Sequence, residues 1–167
     1  PVSGAAISKA DVLASAFNAS VWLNVGGTLY VLAARDLLDG TIAPLQDITH
    51  ASGPLSSEFI VGAKVRNGGS PHAHLAAYFH VRAYGTAGNV TRVRCDVVVE
   101  NGWTFVAGST AFTYAATVVV GGVTIYTNGA LVHYHHTRWH QAGWWGGDPQ
   151  IVATPNLTYL RRSRAVP

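Results

Sequence analysis

Residues 74–100 read HLAAYFHVRAYGTAGNVTRVRCDVVVE, and apolar and polar side chains alternate on both sides of the central GTAGN. Alternation with a period of two places the apolar side chains on one face of a strand and the polar side chains on the other. The stretch therefore predicts a long hairpin with a loop at 85–89 and with Cys95 on its core face. With that loop, the polar face pairs Arg82 with Arg92, His80 with Arg94, Tyr78 with Asp96, and His74 with Glu100.

Two further hairpins are marked by Gly-Gly pairs, because a two-residue primed turn needs a positive φ that glycine adopts without strain. Gly26-Gly27 joins residues 20–25 to 28–34, and Gly121-Gly122 joins residues 110–120 to 123–127. Uninterrupted pairing around the second turn sets Val120 against Val123, Val118 against Ile125, and Phe112 against Leu131.

Helical patterns are confined to residues 11–17 and 35–38. Segments 40–57 and 141–156 are rich in Gly, Pro, Asp and Ser, and we expect them to be long loops. Strands joined by hairpins, without helices to cover parallel crossovers, predict an all-β fold. The expected architecture is an antiparallel β-sandwich, jelly-roll-like or a related barrel, with little helix.

Length and composition limit the kinds of protein to which this chain can belong. At 167 residues the chain is expected to be a single domain spanning residues 1–167. It begins Pro1-Val2 and contains no methionine, so we expect a processed form or a fragment of a larger protein. Charged residues make up only 11%, which favours an extracellular, cell-surface or virion protein. No apolar run reaches the about 18–20 residues that cross a bilayer, so no membrane span is expected.

The positive charge is modest and partly confined to the end of the chain. The net charge is +3, and three arginines lie at positions 161, 162 and 164, which argues against nucleic acid as a partner. The polar face of the long hairpin is still a secondary candidate surface, made of Tyr78, His80, Arg82, Arg92 and Arg94. Arg82 and Arg92, directly opposed, need an acidic group between them, and Asp36–Asp39 is the expected source.

The main candidate site lies in residues 131–145, LVHYHHTRWHQAGWW, which concentrate histidine and tryptophan. We expect residues 130–140 to continue as one strand, and Trp144 and Trp145 to project from the following loop. Exposed aromatic rings bind sugar rings, with neighbouring polar groups contacting the hydroxyls, and they also anchor protein interfaces. The candidate ligand-binding residues are Trp139, Trp144, Trp145, Tyr134, His133, His135, His136, Arg138, His140 and Asp148. The alternative is that the tryptophans close the end of the core.

Two His-X-His pairs, His72/His74 and His133/His135, raise the question of a metal. Residues two apart on a strand share a face, so each pair can present two imidazoles to one ion. Neither pair has a carboxylate at the expected spacing, so we expect no bound metal and no other cofactor.

These observations favour a non-catalytic module with a Trp/His-rich binding surface, and carbohydrate is the preferred ligand over another protein surface. One alternative is a structural role in a capsid, tail or surface filament, in which the chain would form a homo-oligomer. The enzyme alternative is a carbohydrate-active domain assisted by a metal or by histidine, built from His133, His135, His136 and Glu100.

Overall fold

The computed structural model describes residues 3–151 and 156–163. In these ranges the chain is mostly antiparallel strand with three short helices, which confirms the expected all-β class. The strands are β1 (Ala19–Val25), β2 (Thr28–Ala33), β3 (Gln46–Ala51), β4 (Ser56–Asn67), β5 (Ser70–Thr86), β6 (Asn89–Asn101), β7 (Phe112–Val120), β8 (Val123–His133) and β9 (Thr137–Trp145). The helices are α1 (Lys9–Ala14), α2 (Ala34–Leu38) and α3 (Leu157–Arg162).

The described strands form one sheet that curls into a nearly closed barrel. Their order is β8-β7-β1-β2-β4-β5-β6-β9, and β3 pairs with β4 beside this path. β8 and β9 come together at the seam without ladder hydrogen bonds between them, and the rings of Tyr126 and Trp139 meet there at 5.6 Å. Side-chain packing therefore closes the barrel where backbone pairing does not.

The inward-facing apolar side chains of the strands fill the interior of the barrel. Phe79, Val81, Cys95 and Val97 are fully buried, as alternation in β5 and β6 predicts. Ile7, Val12 and Phe17 of the N-terminal segment and Leu37 of α2 are buried in the same core. Asp11 accepts a hydrogen bond from the amide of Gly88 in the β5–β6 turn, at 2.8 Å.

Helix α2 is anchored to the N-terminal segment by one guanidinium group. Arg35 donates hydrogen bonds to the carbonyl oxygens of Leu13, Ser15 and Phe17, at 2.7 to 3.0 Å. Each helix in the described ranges has only five or six residues and is too short to span a membrane.

The register expected for the long hairpin was wrong by two residues. β5 continues to Thr86 and β6 begins at Asn89, with a bulge at Tyr84/Gly85, so the loop has two residues rather than five. The observed neighbours on the polar face are Tyr84 with Arg92, Arg82 with Arg94, His80 with Asp96, and Ala76 with Glu100. A shift of two residues keeps the alternating side chains of 75–84 on their expected faces. His74, which was expected on the polar face, is instead buried.

The Gly-Gly turns lie where they were expected, and Val25 pairs with Thr28 and Val120 with Val123 across them. Pairing beyond the second turn differs, because bulges shift β8 against β7. Val118 therefore faces Tyr126 rather than Ile125, and Phe112 faces His133 rather than Leu131.

Two segments expected to be loops contain strands. β3 lies within 40–57, and β9 carries the chain in regular pairing with β6 as far as Trp145. The strand expected over 130–140 is instead two strands, because Tyr134, His135 and His136 form a turn in which His136 has a φ of 62°. Residues 152–155, also within the expected loop, lie outside the described residues.

Candidate functional site

The outward-facing side chains of β4, β5, β6 and β9 form one continuous surface, here called the outer face. Antiparallel registers align these side chains in rows that cross all four strands. Successive rows are Glu58-Arg82-Arg94-Trp144, Ile60-His80-Asp96-Ala142, Gly62-Tyr78-Val98-His140 and Lys64-Ala76-Glu100-Arg138. The secondary surface predicted on the long hairpin therefore lies on the same face as part of residues 131–145, here called the Trp/His segment.

A central groove of about 690 Å³ lies on this face. Its polar lining comprises Tyr78, His80, Glu100, Arg138 and His140, together with Gln46 from the start of β3. Its remaining lining residues are Leu45, Ile60, Val98 and Trp139. An open groove with an apolar floor and several convergent polar groups has the composition of a small-molecule binding site.

The ring of Tyr78 lies across Gly62 on the neighbouring strand. A Cβ added at Gly62 would stand 2.1 Å from a Tyr78 ring carbon, so only glycine leaves room for the ring. Burial and the nearby Glu100 carboxylate raise the pKa of Tyr78, while Arg138 lowers it. The phenol therefore stays protonated at neutral pH and offers one hydrogen-bond donor at the groove.

Glu100 and Arg138 form an ion pair at one end of the groove, with 3.3 Å between Oε2 and Nη2. The Glu100 side chain is 22% exposed and the Arg138 side chain is 68% exposed. The carboxylate is thus held in place while most of the guanidinium faces solvent. The expected pairing of Glu100 with His74 was wrong, because the register shift places Ala76 opposite Glu100.

Tyr84 and Trp144 stack at 5.8 Å beside a second depression of about 310 Å³, here called the lateral depression. Its other lining residues are Arg92, Asp148, Pro149 and Ile151. Trp144 lies near the end of β9 rather than in a loop. Of the three tryptophans in the Trp/His segment, Trp144 is the one in a row of the outer face.

The arginines of the long hairpin are balanced by acids other than those expected. Arg82 donates from Nε and Nη2 to one carboxylate oxygen, Oε2, of Glu58 on β4, at 2.8 and 2.5 Å. Arg94 donates to Asp96 at 3.1 Å. Arg82 thus faces Arg94 rather than Arg92, and Glu58, not the segment Asp36–Asp39, supplies the neighbouring negative charge.

Trp139 and His133 belong to a hydrogen-bonded chain inside the barrel. Trp139 Nε1 donates to the Tyr114 hydroxyl at 2.9 Å, and that hydroxyl lies 2.7 Å from His133 Nδ1. The other imidazole nitrogen lies 3.0 Å from the carbonyl oxygen of Thr137. The chain is complete when Tyr114 donates to Nδ1 and a neutral His133 donates from Nε2. His133 is therefore engaged inside the barrel, whereas Trp139 is bonded to this chain through its indole N–H and also lines the central groove.

His72 and His74 are also buried, and one ring nitrogen of each forms hydrogen bonds with the backbone. The backbone amides of His74 and Leu75 both donate to His72 Nδ1, at 3.1 and 3.0 Å. His74 Nε2 lies 3.1 Å from the carbonyl oxygen of Ala107. Within the described ranges, no three His, Cys, Asp or Glu side chains converge as a set of metal ligands.

The other candidate residues lie apart from both depressions. Tyr134, His135 and His136 form the β8–β9 turn, where Tyr134 is 65% exposed and the two imidazole centroids lie 3.8 Å apart with their planes tilted by 48°. Trp145 packs against the core. His133, His135, His136 and Glu100 do not form one constellation, because His133 is bonded inside the barrel and Glu100 is paired outside it.

Sequence reasoning missed the contribution of β4, although the signal was present. Phe59, Val61, Ala63 and Val65 recur with a period of two and are all buried. Recognising this strand would have placed Ile60 and Gly62 on its outward face. Comparison of the chain with family models, curated proteins and solved structures finds no match.

Acid is expected to destabilise the fold through the buried histidines. Burial lowers the pKa of His133 and, together with His74 and Lys64, that of His72. Since both folded pKa values lie below the unfolded value of about 6.5, the unfolded chain binds more protons as the pH falls. The free energy of unfolding should therefore be fully retained above pH 6.5 and decrease below it.

Urea unfolding at intervals between pH 8 and 5.5 measures this dependence. His133→Gln removes one of the two groups and should flatten the profile, with His72 accounting for the slope that remains. An identical slope in the parent and the variant would contradict the assignment of His133.

Proposed function

We propose that this domain is a non-catalytic module that binds carbohydrate at the central groove. The observation that carries the proposal is the groove's combination of a Tyr78 ring, an apolar floor and polar groups on several sides. A pyranose presents a C–H face to an aromatic ring, while its hydroxyls need donors and acceptors around it. Tyr78 supplies the ring, and His80, His140, Glu100 and Arg138 surround it.

The positions of Glu100 in the groove and of Asp96 beside it favour binding over hydrolysis. Glycosidases place two carboxyl groups about 5 to 9.5 Å apart across the bond that they cleave. Glu100 and Asp96 are four residues apart on β6, which separates their backbone positions by about 13 Å. Glu100 is also engaged in an ion pair with Arg138.

We place the module in an extracellular, cell-surface or virion protein. The support for this compartment is compositional, because only 11% of the residues are charged. A groove that recognises sugar hydroxyls has its natural ligands on such surfaces.

A glycan array followed by isothermal titration calorimetry tests the proposal. Tyr78→Ala should weaken the binding of any glycan that the parent protein retains by about tenfold or more, since loss of a stacked ring costs about 1.5 kcal/mol. Tyr134→Ala, at an exposed tyrosine outside the groove, is the matched control and should leave affinity unchanged.

Tyr78→Phe keeps the ring and removes only the hydroxyl, so it separates stacking from hydrogen bonding. A parent protein that retains no glycan on the array would refute the proposal. If Tyr78→Ala binds the glycan as tightly as the parent protein does, the glycan binds outside the groove.

A further inference from the structure

We propose that the lateral depression is a second subsite, which selects saccharides carrying a carboxylate or sulfate through Arg92. This inference deepens the proposed function and rests on it. The expected ligands are acidic oligosaccharides. The central groove binds a sugar ring, and the lateral depression selects the acidic group.

Both depressions lie along one face of the same strands. Tyr78 of the central groove and Tyr84 of the lateral depression are six residues apart on β5, which corresponds to about 20 Å. The intervening rows are outward-facing too, and they carry the ion pairs of Arg82 and Arg94. A ligand that fills both depressions must therefore be a chain of several sugar units rather than a single ring.

Arg92 differs from its neighbours in lacking an acidic partner. Arg82 and Arg94 are neutralised by Glu58 and Asp96, whereas Arg92 forms no ion pair with any described residue. It is exposed and lies opposite Tyr84 in the β5–β6 ladder. An exposed guanidinium with unused donors can form paired hydrogen bonds to a carboxylate or sulfate.

The rest of the depression suits a sugar ring rather than an isolated anion. The stacked Tyr84 and Trp144 provide aromatic surface, and Pro149 and Ile151 add apolar lining. Asp148 accepts a hydrogen bond from the amide of Gln150 at 2.9 Å, so its carboxylate is held at the depression as an acceptor for hydroxyls.

The same groups disfavour a nucleic acid. A phosphate backbone needs several cations in series, and affinity depends on how many phosphates they neutralise. Here one unpaired arginine stands beside an aspartate. A single acidic group on a sugar matches that charge pattern.

The test compares acidic oligosaccharides with matched neutral forms by calorimetry. Suitable probes are oligogalacturonate and its methyl ester, sialyllactose and its methyl ester, and a heparin oligosaccharide and its desulfated form. The parent protein should bind at least one acidic form about tenfold more tightly than its neutral partner. Arg92→Gln should remove this preference by weakening the binding of the acidic form to the level of the neutral form.

Two variants complete the design. Arg161→Gln makes the same change in net charge at an exposed arginine of α3, and it should keep the acidic preference. Trp144→Ala should weaken both forms, because it removes aromatic surface that does not depend on the charge of the ligand.

The outcomes separate the two proposals. If no saccharide of either kind binds, the proposed function is wrong and the subsite falls with it. If saccharides bind but acidic and neutral forms do so equally, or if the preference survives in Arg92→Gln, the groove stands and the acidic subsite is refuted. Tighter binding of a single-stranded oligonucleotide than of every acidic saccharide would also refute the subsite.

Discussion

Replacing Trp139 by alanine should lower the free energy of unfolding by about 3 kcal/mol, because it removes a ring from the barrel seam. Trp139 meets Tyr126 of β8 across the gap that lacks ladder hydrogen bonds, and its indole N–H donates to the Tyr114 hydroxyl. The substitution leaves a cavity and removes one donor from the hydrogen-bonded chain that runs through Tyr114 and His133. Urea unfolding followed by circular dichroism measures the change.

Trp144→Ala is the matched control, since Trp144 lies on the outer face five residues along the same strand. Its loss should cost only about 1 kcal/mol, the value of its stacking on Tyr84. Trp139→Phe keeps most of the ring and removes the N–H, so its cost should fall between the two. Equal costs for Trp139→Ala and Trp144→Ala would contradict the division between a core tryptophan and a surface tryptophan.

Replacing Gly85 by alanine should destabilise the protein by about 3 kcal/mol or more, because the substituted residue meets backbone that cannot move aside. Gly85 has a φ of +138°, and an added Cβ would stand 2.2 Å from the carbonyl oxygen of Asn89. This glycine forms the bulge that sets the β5–β6 register. The substitution must therefore strain the bulge or shift the hairpin.

Gly88→Ala supplies the comparison in the same turn. Gly88 also has a positive φ, +76°, but nothing lies within 4 Å of its added Cβ. Its cost should be about 1 kcal/mol, from backbone conformation alone. The difference between the unfolding temperatures of the two variants measures the effect of the steric clash. If Gly85→Ala is as stable as Gly88→Ala, the bulge relaxes without cost and the prediction is wrong.

The bulge also explains why the hairpin could be predicted in outline but not in register. Alternation determines which side chains share a face, and Phe79 and Cys95 are buried accordingly. It does not distinguish pairings that differ by two residues, because both keep the same faces. The choice between them depends on Gly85, whose conformation is set by contacts across the hairpin.

The Trp/His segment illustrates a different limit. Its composition indicated a special region, and the structure divides that region among three environments: the core, the β8–β9 turn and the outer face. Trp139 and Trp144 are both aromatic residues of β9, yet one packs into the seam and the other stacks beside a surface depression. Because they are separated by an odd number of residues on one strand, their side chains lie on opposite faces of the sheet. This difference can be predicted only when the first and last residues of the strand are known.

The sequence by itself determined the all-β class, the positions of the Gly-Gly turns and the faces of β5 and β6, because these follow from local backbone preferences and from a period of two. Only the tertiary structure decided that β9 pairs with β6, that β7 pairs with β1 and that β4 pairs with β2. Those pairings join residues far apart in the chain, and their free energy comes from closing the barrel around a shared core. The outer face exists for that reason: Gly62, Tyr78, Val98 and His140 share a row through pairings that no single segment encodes.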